Sequence, residues 1–432
     1  MTTAPKKIQR DKDFILNLIR SHGPISRVGI YERTSLRRST ISLIARQLLS
    51  EGWLLDAGRS DNPRGPKQIL LQLNPKHRFL VGLELDDELI TAGVMDLEPA
   101  VSHVLSERTD LAHGRQGLIE QLQAAVRRVV AMSGLPWSRL LGIGVADPGL
   151  VDSRRGIISS CSTIDFWNDV PLKEIFEREF KTPTLIESKT RAKTIAEHKR
   201  ESPERRSNMI YLDYGAGIGA GVIVDGNLLY GNTCGAGEVG HTNIDKSGPT
   251  CKCGSNGCLE ALAGANSVES RIRNALREGV PSQVLGMANQ DPAKITAWLV
   301  FEAARAGDKM CWNIAAAIAE DMGVAIANLV NLFNPAILIL DQRLAVLGEE
   351  FLGLISRIVK SKALAGSSSQ LAIRFGSLGG ESGLMGVGLQ VLDTYFSGRA
   401  AGIPPSPLAA QQTAAAKPGA RKRGRESLPA ET

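Results

Sequence analysis

The sequence predicts an α/β protein with a small basic head at the N-terminus and a larger body made of two α/β lobes. Helical and then strand-like patterns fill residues 8–73, and strands alternate with helices from Phe79 onward. Within the body, "FLVGLELDDELITAGVMDL" and "NMIYLDYGAGIGAGVIVDG" each read as strand, tight turn and strand. This repetition indicates two similar lobes with a cleft between them.

Composition narrows the class of protein. A chain of 432 residues with 43% hydrophobic and 22% charged residues has enough apolar material for two or three globular domains. The N-terminus lacks the apolar core of a secretory signal, and charged and amide residues interrupt the most apolar region, 314–340. We therefore expect a cytoplasmic protein without a membrane partner, in which clustered cysteines favour a metal over disulfides.

Charge is unevenly distributed along the chain. The net charge of +6 divides into +9 for residues 1–78, +4 for residues 397–432 and −7 for the stretch between them. A basic head and tail on an acidic body favour a polyanionic partner at both ends, with a solvated basic surface as the alternative.

The head reads as three helices followed by a hairpin. The first helix, "IQRDKDFILNLIRSHG", ends at Gly23-Pro24, and Ser26 is positioned to cap a short second helix. Ser39 is the expected cap of a third helix, whose apolar face comprises Ile41, Ile44, Ala45 and Leu48. The stretch "GWLLDAGRSDNPRGPKQILLQLN" then predicts two strands with a basic tip. This order is a winged helix-turn-helix pattern, and a helical interaction domain with a hairpin is the alternative.

The outer face of the third helix and the hairpin tip carry basic and hydroxyl side chains. Arginine reads guanine edges in the major groove, and hydroxyl groups hold phosphates. We therefore expect the head to bind a double-stranded DNA operator. The candidate DNA-binding residues are Arg37, Arg38, Ser39, Thr40, Ser42, Arg46, Arg64 and Lys67.

From about residue 8 to 395 the sequence resembles the ROK (repressor, open reading frame, kinase) family. The motifs that carry the resemblance are "GIGVADPGLVD", "DYGAGIGAGVIVDGNLLYGNTCGAGEVGH" and "CKCGSNGCLE". The resemblance implies that the winged helix-turn-helix precedes a two-lobed actin-like, sugar-kinase (ribonuclease H-like) fold. We place the head at 1–78, the first lobe at 79–200, the second lobe with a zinc loop at 201–396, and a disordered basic tail at 397–432.

One histidine and three cysteines lie within the eighteen residues from His241 to Cys258. These four residues, His241, Cys251, Cys253 and Cys258, form the Cys3His set of a closed tetrahedral zinc site. The resemblance implies that this loop shapes a neighbouring sugar pocket. We expect a structural zinc ion there, with four unliganded residues in a flexible loop as the alternative.

The resemblance also places five residues around the sugar pocket: Ser188, Lys189, Glu238, His241 and Glu260. Ser188 and Lys189 stand where family kinases carry an asparagine and the aspartate that takes the proton from the sugar hydroxyl. A protonated lysine cannot act as that base.

Two further departures from the kinase pattern concern the nucleotide. Where family kinases have a glycine-containing phosphate turn, this chain has "ELDDEL", whose Asp86, Asp87 and Glu88 would face a triphosphate. Asp341 and Gln342 replace paired glycines near the adenosine site. The chain is therefore expected not to be an enzyme.

Two interpretations of the altered pocket stay open at this point. Lys189 could pair with the anion of a phosphorylated or acidic sugar. Alternatively, Lys189 forms a salt bridge with Glu238 or Glu260 and closes the pocket.

The predicted function is a transcriptional regulator acting as a repressor. A sugar, sugar-phosphate or sugar-acid effector would change the spacing of two DNA-binding heads in a homodimer or homotetramer. The alternatives are a ligand-independent or partner-controlled DNA-binding regulator and an ATP-dependent sugar kinase. In the tail, Arg423-Gly424-Arg425 resembles a minor-groove AT-hook core, with a plain basic tail as the alternative.

Overall fold

The computed structural model describes residues 4–60 and 67–397, with side chains from residue 8. The described residues form two compact units. The smaller unit comprises those within Met1–Asn74 and Leu392–Thr432, and the larger unit is Pro75–Val391. Arg64 and the predicted tail from residue 398 lie outside the described residues.

The head has the predicted three helices and hairpin. Its elements are α1 (Ala4–His22), β1 (Ile25–Ser26), α2 (Arg27–Glu32), α3 (Arg38–Ser50), β2 (Leu54–Arg59) and β3 (Ile69–Leu73). The three strands form an antiparallel sheet in the order β1-β3-β2. The Ser26 hydroxyl accepts a hydrogen bond from the Gly29 amide at 3.0 Å, which confirms the predicted cap. The predicted apolar face of α3 is buried.

The predicted cap of the third helix is wrong by two residues. Arg37 is the N-cap of α3, and the Ile41 amide donates to the Arg37 carbonyl at 3.1 Å. Ser39 is therefore already inside the first turn, where its exposed side chain makes no capping hydrogen bond. The helix begins at Arg38, one residue before Ser39, so the Ser39 hydroxyl cannot act as the expected cap.

The first lobe of the larger unit is built on a five-stranded sheet in the order β10-β7-β4-β5-β6. Strands β10, β7 and β4 are parallel, whereas β5 and β6 are antiparallel to their neighbours. Its elements are β4 (Phe79–Leu85), β5 (Leu89–Met95), β6 (Val101–Arg108), α4 (Gly114–Ser133), β7 (Leu140–Asp147), β8 (Leu150–Asp152), β9 (Ile157–Ser160), α5 (Leu172–Phe180), β10 (Thr184–Ser188) and α6 (Lys189–Arg200).

The second lobe repeats this sheet. Its order, β13-β12-β11-β14-β15, has the same pattern of two parallel and two antiparallel pairings. Its elements are α7 (Pro203–Arg206), β11 (Met209–Tyr214), β12 (Ile218–Val224), β13 (Asn227–Leu228), α8 (Leu259–Ala263), α9 (Ala265–Arg277), α10 (Val284–Met287), α11 (Ala297–Arg305), α12 (Lys309–Phe333), β14 (Ile337–Leu340), α13 (Gly348–Lys362), α14 (Ala365–Ser368), β15 (Ala372–Phe375) and α15 (Ser382–Phe396). The two matching sheets confirm the predicted duplication.

Helix α12 is the central helix of the second lobe. Its apolar face, including Ile318, Met322 and Ile326, is fully buried in the largest hydrophobic cluster. Within residues 4–60 and 67–397 it is the one helix long and apolar enough to cross a membrane by length and composition, and half of its most apolar window is buried.

Helix α15 begins in the larger unit and ends in the smaller one. Within the smaller unit, the Trp53 ring stacks on Tyr395 with 5.9 Å between centroids, and Arg20 donates to Asp393 at 2.8 Å. The Arg20 guanidinium also lies 5.0 Å from the Phe396 ring centroid. The end of α15, which the predicted bounds place in the second lobe, is thus packed as part of the head.

Candidate functional site

A cavity of about 280 Å³ opens where the parallel strands of the two sheets end. Ligands in open α/β sheets bind at these carboxyl ends, because the loops that follow the strands can differ without disturbing the core. The cavity wall contains all five predicted effector-binding residues, Ser188, Lys189, Glu238, His241 and Glu260. Asp86, Asp87 and Asp213 line it as well.

Lys189, the first residue of α6, forms an ion pair with Asp86. Its Nζ lies 2.5 Å from Asp86 Oδ2, and both side chains are largely buried. The structure thus pairs Lys189 with the residue after β4, and the alternative pairing with Glu238 or Glu260 is wrong. Burial alone would raise the pKa of Asp86, but the Lys189 charge holds it well below its ordinary value.

Asp87 has the opposite electrostatic environment. Burial and the adjacent Asp86 charge raise the pKa of Asp87 to about 7. Burial also raises the pKa of Glu260, against the lowering effect of His241. The pocket therefore combines one neutralised ion pair with carboxyl groups that resist ionisation.

Glu187 lies on β10, directly before the pocket residues Ser188 and Lys189, and its buried side chain has a structural role. Its Oε1 accepts hydrogen bonds from Arg191 Nε at 2.7 Å and Ser153 Oγ at 2.6 Å. Its Oε2 accepts from Tyr230 and Gln390 at 3.1 and 2.9 Å. With only 1% of its side chain exposed, Glu187 ties β10 to its neighbours.

A second charged cluster, centred on Lys193, was missed by the sequence analysis. Lys193 Nζ lies 2.9 Å from Asp213 Oδ1, 3.4 Å from Asp341 Oδ2 and 3.8 Å from Glu84 Oε1. Arg343 Nε donates to Asp341 Oδ1 at 3.1 Å. The signal in the sequence was the spacing of Lys193 from Lys189, which places both on one face of α6. Its partners lie on β4, on β11 and directly after β14, and they could not be read from the sequence.

This Lys193 cluster borders a second cavity of about 580 Å³. Burial by itself disfavours the ammonium, but the surrounding carboxylates raise the pKa of Lys193. Likewise, burial favours the neutral form of Asp341, yet the charges of Lys193 and Arg343 hold its pKa well below the usual value.

Glycines of β12 allow α6 to approach the second sheet closely. A Cβ added at Gly221 would lie 1.7 Å from Thr194 Oγ1, and one at Gly219 would lie 2.8 Å from Thr190 Oγ1. Gly219 and Gly221 thus serve the packing of α6 on β12.

Replacing Gly221 by alanine is therefore expected to destabilise the larger unit by about 1–3 kcal/mol, because the new methyl group overlaps Thr194. Urea unfolding followed by tryptophan fluorescence would measure the change. Gly353→Ala, in exposed helix α13 with open space at its Cβ, is the matched control and should be neutral or slightly stabilising. Equal stability of both variants would contradict the close packing.

The four predicted metal ligands come together. One ligand atom from each of His241, Cys251, Cys253 and Cys258 lies within 4.8 Å of the others. Cys253 Sγ and Cys258 Sγ are 3.7 Å apart, and Cys251 Sγ is 3.6 Å from His241 Nδ1. Ligands about 2.3 Å (sulfur) and 2.0 Å (nitrogen) from a tetrahedral zinc ion would be separated by about 3.8 Å between two sulfurs and about 3.5 Å between sulfur and nitrogen. The donor set and its spacing fit a closed tetrahedral site.

Backbone contacts hold together the loop that carries the four candidate ligands. Gly257 has φ of +64°, and a Cβ there would lie 1.5 Å from the Asp245 carbonyl oxygen. The Ile244 amide donates to the Gly257 carbonyl at 2.8 Å. Cys258 is the N-cap of α8, so the cluster fixes the start of the helix that carries Glu260.

The predicted DNA-binding residues at the N-cap of α3 and along this helix are all exposed or half-buried. Arg37, Arg38, Ser39 and Arg46 are exposed, and Thr40 and Ser42 are half-buried. The Arg38 guanidinium lies 4.6 Å from the Tyr31 ring centroid. Lys67 is exposed beside the undescribed hairpin tip.

Comparisons with known proteins agree with this architecture. The chain is 28% identical to the xylose repressor of Caldicellulosiruptor bescii, over 90% of this chain and 97% of that protein. It is 27% identical to the DNA-binding transcriptional dual regulator NagC of Escherichia coli, over 83% and 86% of the two chains.

Two solved structures share the fold. A ROK family transcriptional regulator homologous to the Escherichia coli MLC protein has a TM-score of 0.76, with 22% identity over 90% of this chain and 98% of that one. A ROK family glucokinase from Streptomyces griseus, solved with glucose and AMPPNP, has a TM-score of 0.65, with 26% identity over 72% and 98%. The ROK family model matches residues 81–393, which is well over half of the sequence. The chain therefore belongs to the ROK family.

Proposed function

We propose that the protein is a DNA-binding transcriptional repressor whose body binds a carbohydrate effector and has lost phosphoryl transfer. Its similarity to named repressors extends over 90% of the chain, including the winged helix-turn-helix head. The observation that carries the loss of catalysis is the Lys189–Asp86 ion pair. Lys189 occupies the position of the kinase base, and although burial opposes its charge, Asp86 and Asp213 raise its pKa. A protonated lysine has no lone pair with which to accept the sugar proton.

The charges around the second cavity also disfavour a nucleotide. Its two cations are already matched by carboxylates: buried Lys193 by Asp213, and half-buried Arg343 by Asp341. Glu84 and Asp86 line the same cavity and would repel a triphosphate. ATP with magnesium should therefore give no thermal stabilisation of the protein, and a clear shift would favour the kinase alternative.

The pocket favours a neutral carbohydrate over a sugar phosphate or a sugar acid. Asp86, Asp87, Asp213, Glu238 and Glu260 line it, and its lysine is already paired. Carboxylates accept hydrogen bonds from sugar hydroxyls, whereas an anionic group would add like charge without a free partner.

Operator binding measured by fluorescence anisotropy would test this function. The operator would first be selected from random duplexes with the full chain. We expect one class of neutral sugars at millimolar concentration to weaken operator binding about tenfold or more, by favouring a conformation with lower DNA affinity. Glu260→Gln should lose this response while retaining operator affinity, and Glu278→Gln, at an exposed site, should respond like the parent.

Other outcomes discriminate between the alternatives. A response confined to sugar phosphates or acids would contradict the charge argument. Unchanged operator affinity with every sugar would favour the ligand-independent or partner-controlled regulator. Absence of any selected DNA sequence would contradict the repressor function itself.

Three further properties complete the proposal. The spacing of His241 and the three cysteines supports structural zinc in this cluster. A cytoplasmic location would keep the clustered thiols reduced and available to a metal. A homodimer or homotetramer would allow two heads to bind paired half-sites.

A further inference from the structure

The outward face of α3 carries one large apolar side chain among polar ones. Leu43 is 46% exposed in the middle of the helix, whereas Ile41 and Ile44 beside it are buried. Its exposed or half-buried neighbours on this face are Ser39, Ser42, Arg46, Gln47 and Ser50. Because the core of the head is formed without it, Leu43 has no packing role that requires an apolar residue.

The surroundings of Leu43 fit DNA rather than an apolar protein surface. Three arginines, Arg37, Arg38 and Arg46, lie exposed on the same helix, and the head carries a net charge of +9. A solvent-exposed leucine beside an arginine and several hydroxyl groups matches the major groove, where the one apolar group on a base edge is the 5-methyl group of thymine.

We propose that Leu43 is a specificity-determining residue that contacts a thymine methyl group in the operator. The proposal rests on the DNA-binding function proposed above. Arg46, three residues further along α3, would contact a guanine close to that thymine. Three residues advance about 4.5 Å along a helix, and successive base pairs are about 3.4 Å apart. The two side chains therefore read a T·A pair and a G·C pair one or two steps apart.

Replacing single thymines of the selected operator by deoxyuridine tests the contact, because this removes only the methyl group. Burying one methyl group is worth about fourfold in affinity. We expect one deoxyuridine position in each half-site, within two base pairs of a guanine, to weaken parent binding about fourfold. Leu43→Ala should bind the thymine operator about fourfold more weakly and be insensitive to deoxyuridine at that position. Leu43→Met, which retains an apolar side chain, should restore most of the sensitivity.

Leu332→Ala is the matched control, since Leu332 is a 75% exposed helical leucine in the larger unit. It should bind both operators like the parent. If Leu43→Ala keeps the full deoxyuridine effect, or if no thymine methyl group affects parent binding, the proposed contact is overturned. Failure to select any operator would instead overturn the DNA-binding function on which the contact rests, so the two failures are distinguishable.

Discussion

Replacing Cys258 by serine is expected to abolish zinc binding and to unfold the loop 242–258. The loop has few buried apolar residues, and the backbone turn at Gly257 is sterically demanding. Structural zinc contributes on the order of 10 kcal/mol to folding in small zinc-binding modules, so the metal and not the core would hold this segment. Metal analysis should fall from one zinc per chain to near zero, and hydrogen exchange should accelerate across the loop.

The same variant should lose the sugar response. Cys258 caps α8, whose second residue is Glu260, and His241 serves both the cluster and the pocket wall. Cys161→Ala is the control, because Cys161 is a buried thiol outside the cluster. It should retain zinc and the protection of the loop. A Cys258→Ser protein with full metal content, or with an ordered loop after metal loss, would contradict the structural role.

Replacing Lys193 by methionine is expected to destabilise the larger unit by about 3–5 kcal/mol at pH 7, because it leaves buried carboxylates without their cation. Among the ion pairs of the described residues, Asp213 and Asp341 would then keep Arg343, and Glu84 would keep none. Lys199→Met makes the same chemical change on the exposed face of α6 and should alter stability by less than about 0.5 kcal/mol. Urea unfolding at pH 7 measures both.

The pH dependence of stability shows whether Lys193→Met destabilises the protein through lost charge pairing or through lost packing. In the parent, the depressed pKa of Asp341 gives stability that is present above the unfolded pKa and is lost as pH falls through the folded value. The raised pKa of Lys193 gives stability that is present below its unfolded pKa and is lost only as pH rises through the folded value. Both residues therefore make their full contribution to the free energy of unfolding between about pH 5 and 10.

In Lys193→Met, burial would raise the pKa of the unpaired carboxyl groups toward neutrality. Protonation then relieves the uncompensated charge, so the stability deficit relative to the parent should shrink between pH 7 and pH 5. A deficit that stays constant over this range would indicate lost packing alone. A deficit below about 1 kcal/mol at pH 7 would show that the cluster does not depend on Lys193.

Local patterns predicted the elements of this protein well, because each depends on neighbours in the sequence. The helices of the head followed from apolar spacing and from the Ser26 cap, and the matching sheets followed from two similar strand-turn-strand segments. The metal cluster was also predictable, since cysteine spacing and thiol chemistry restrict the possible geometry. The start of α3 was misplaced because Arg37 occupies the N-cap position without a side-chain cap, although Ser39 is the better capping residue by type.

The sequence by itself determined the winged head and the two similar lobes, and it predicted both the four candidate metal ligands and, through the family resemblance, Lys189 at the position of a kinase base. Only the tertiary structure decided which charges meet. Lys189 pairs with Asp86 at a distance of 103 residues, Lys193 is surrounded by carboxylates on β4, on β11 and directly after β14, and the end of α15 packs on Trp53 in the head. Such contacts join residues far apart in the chain, and their energies depend on burial and on distances of a few ångströms, which only the folded arrangement of the strands and helices sets.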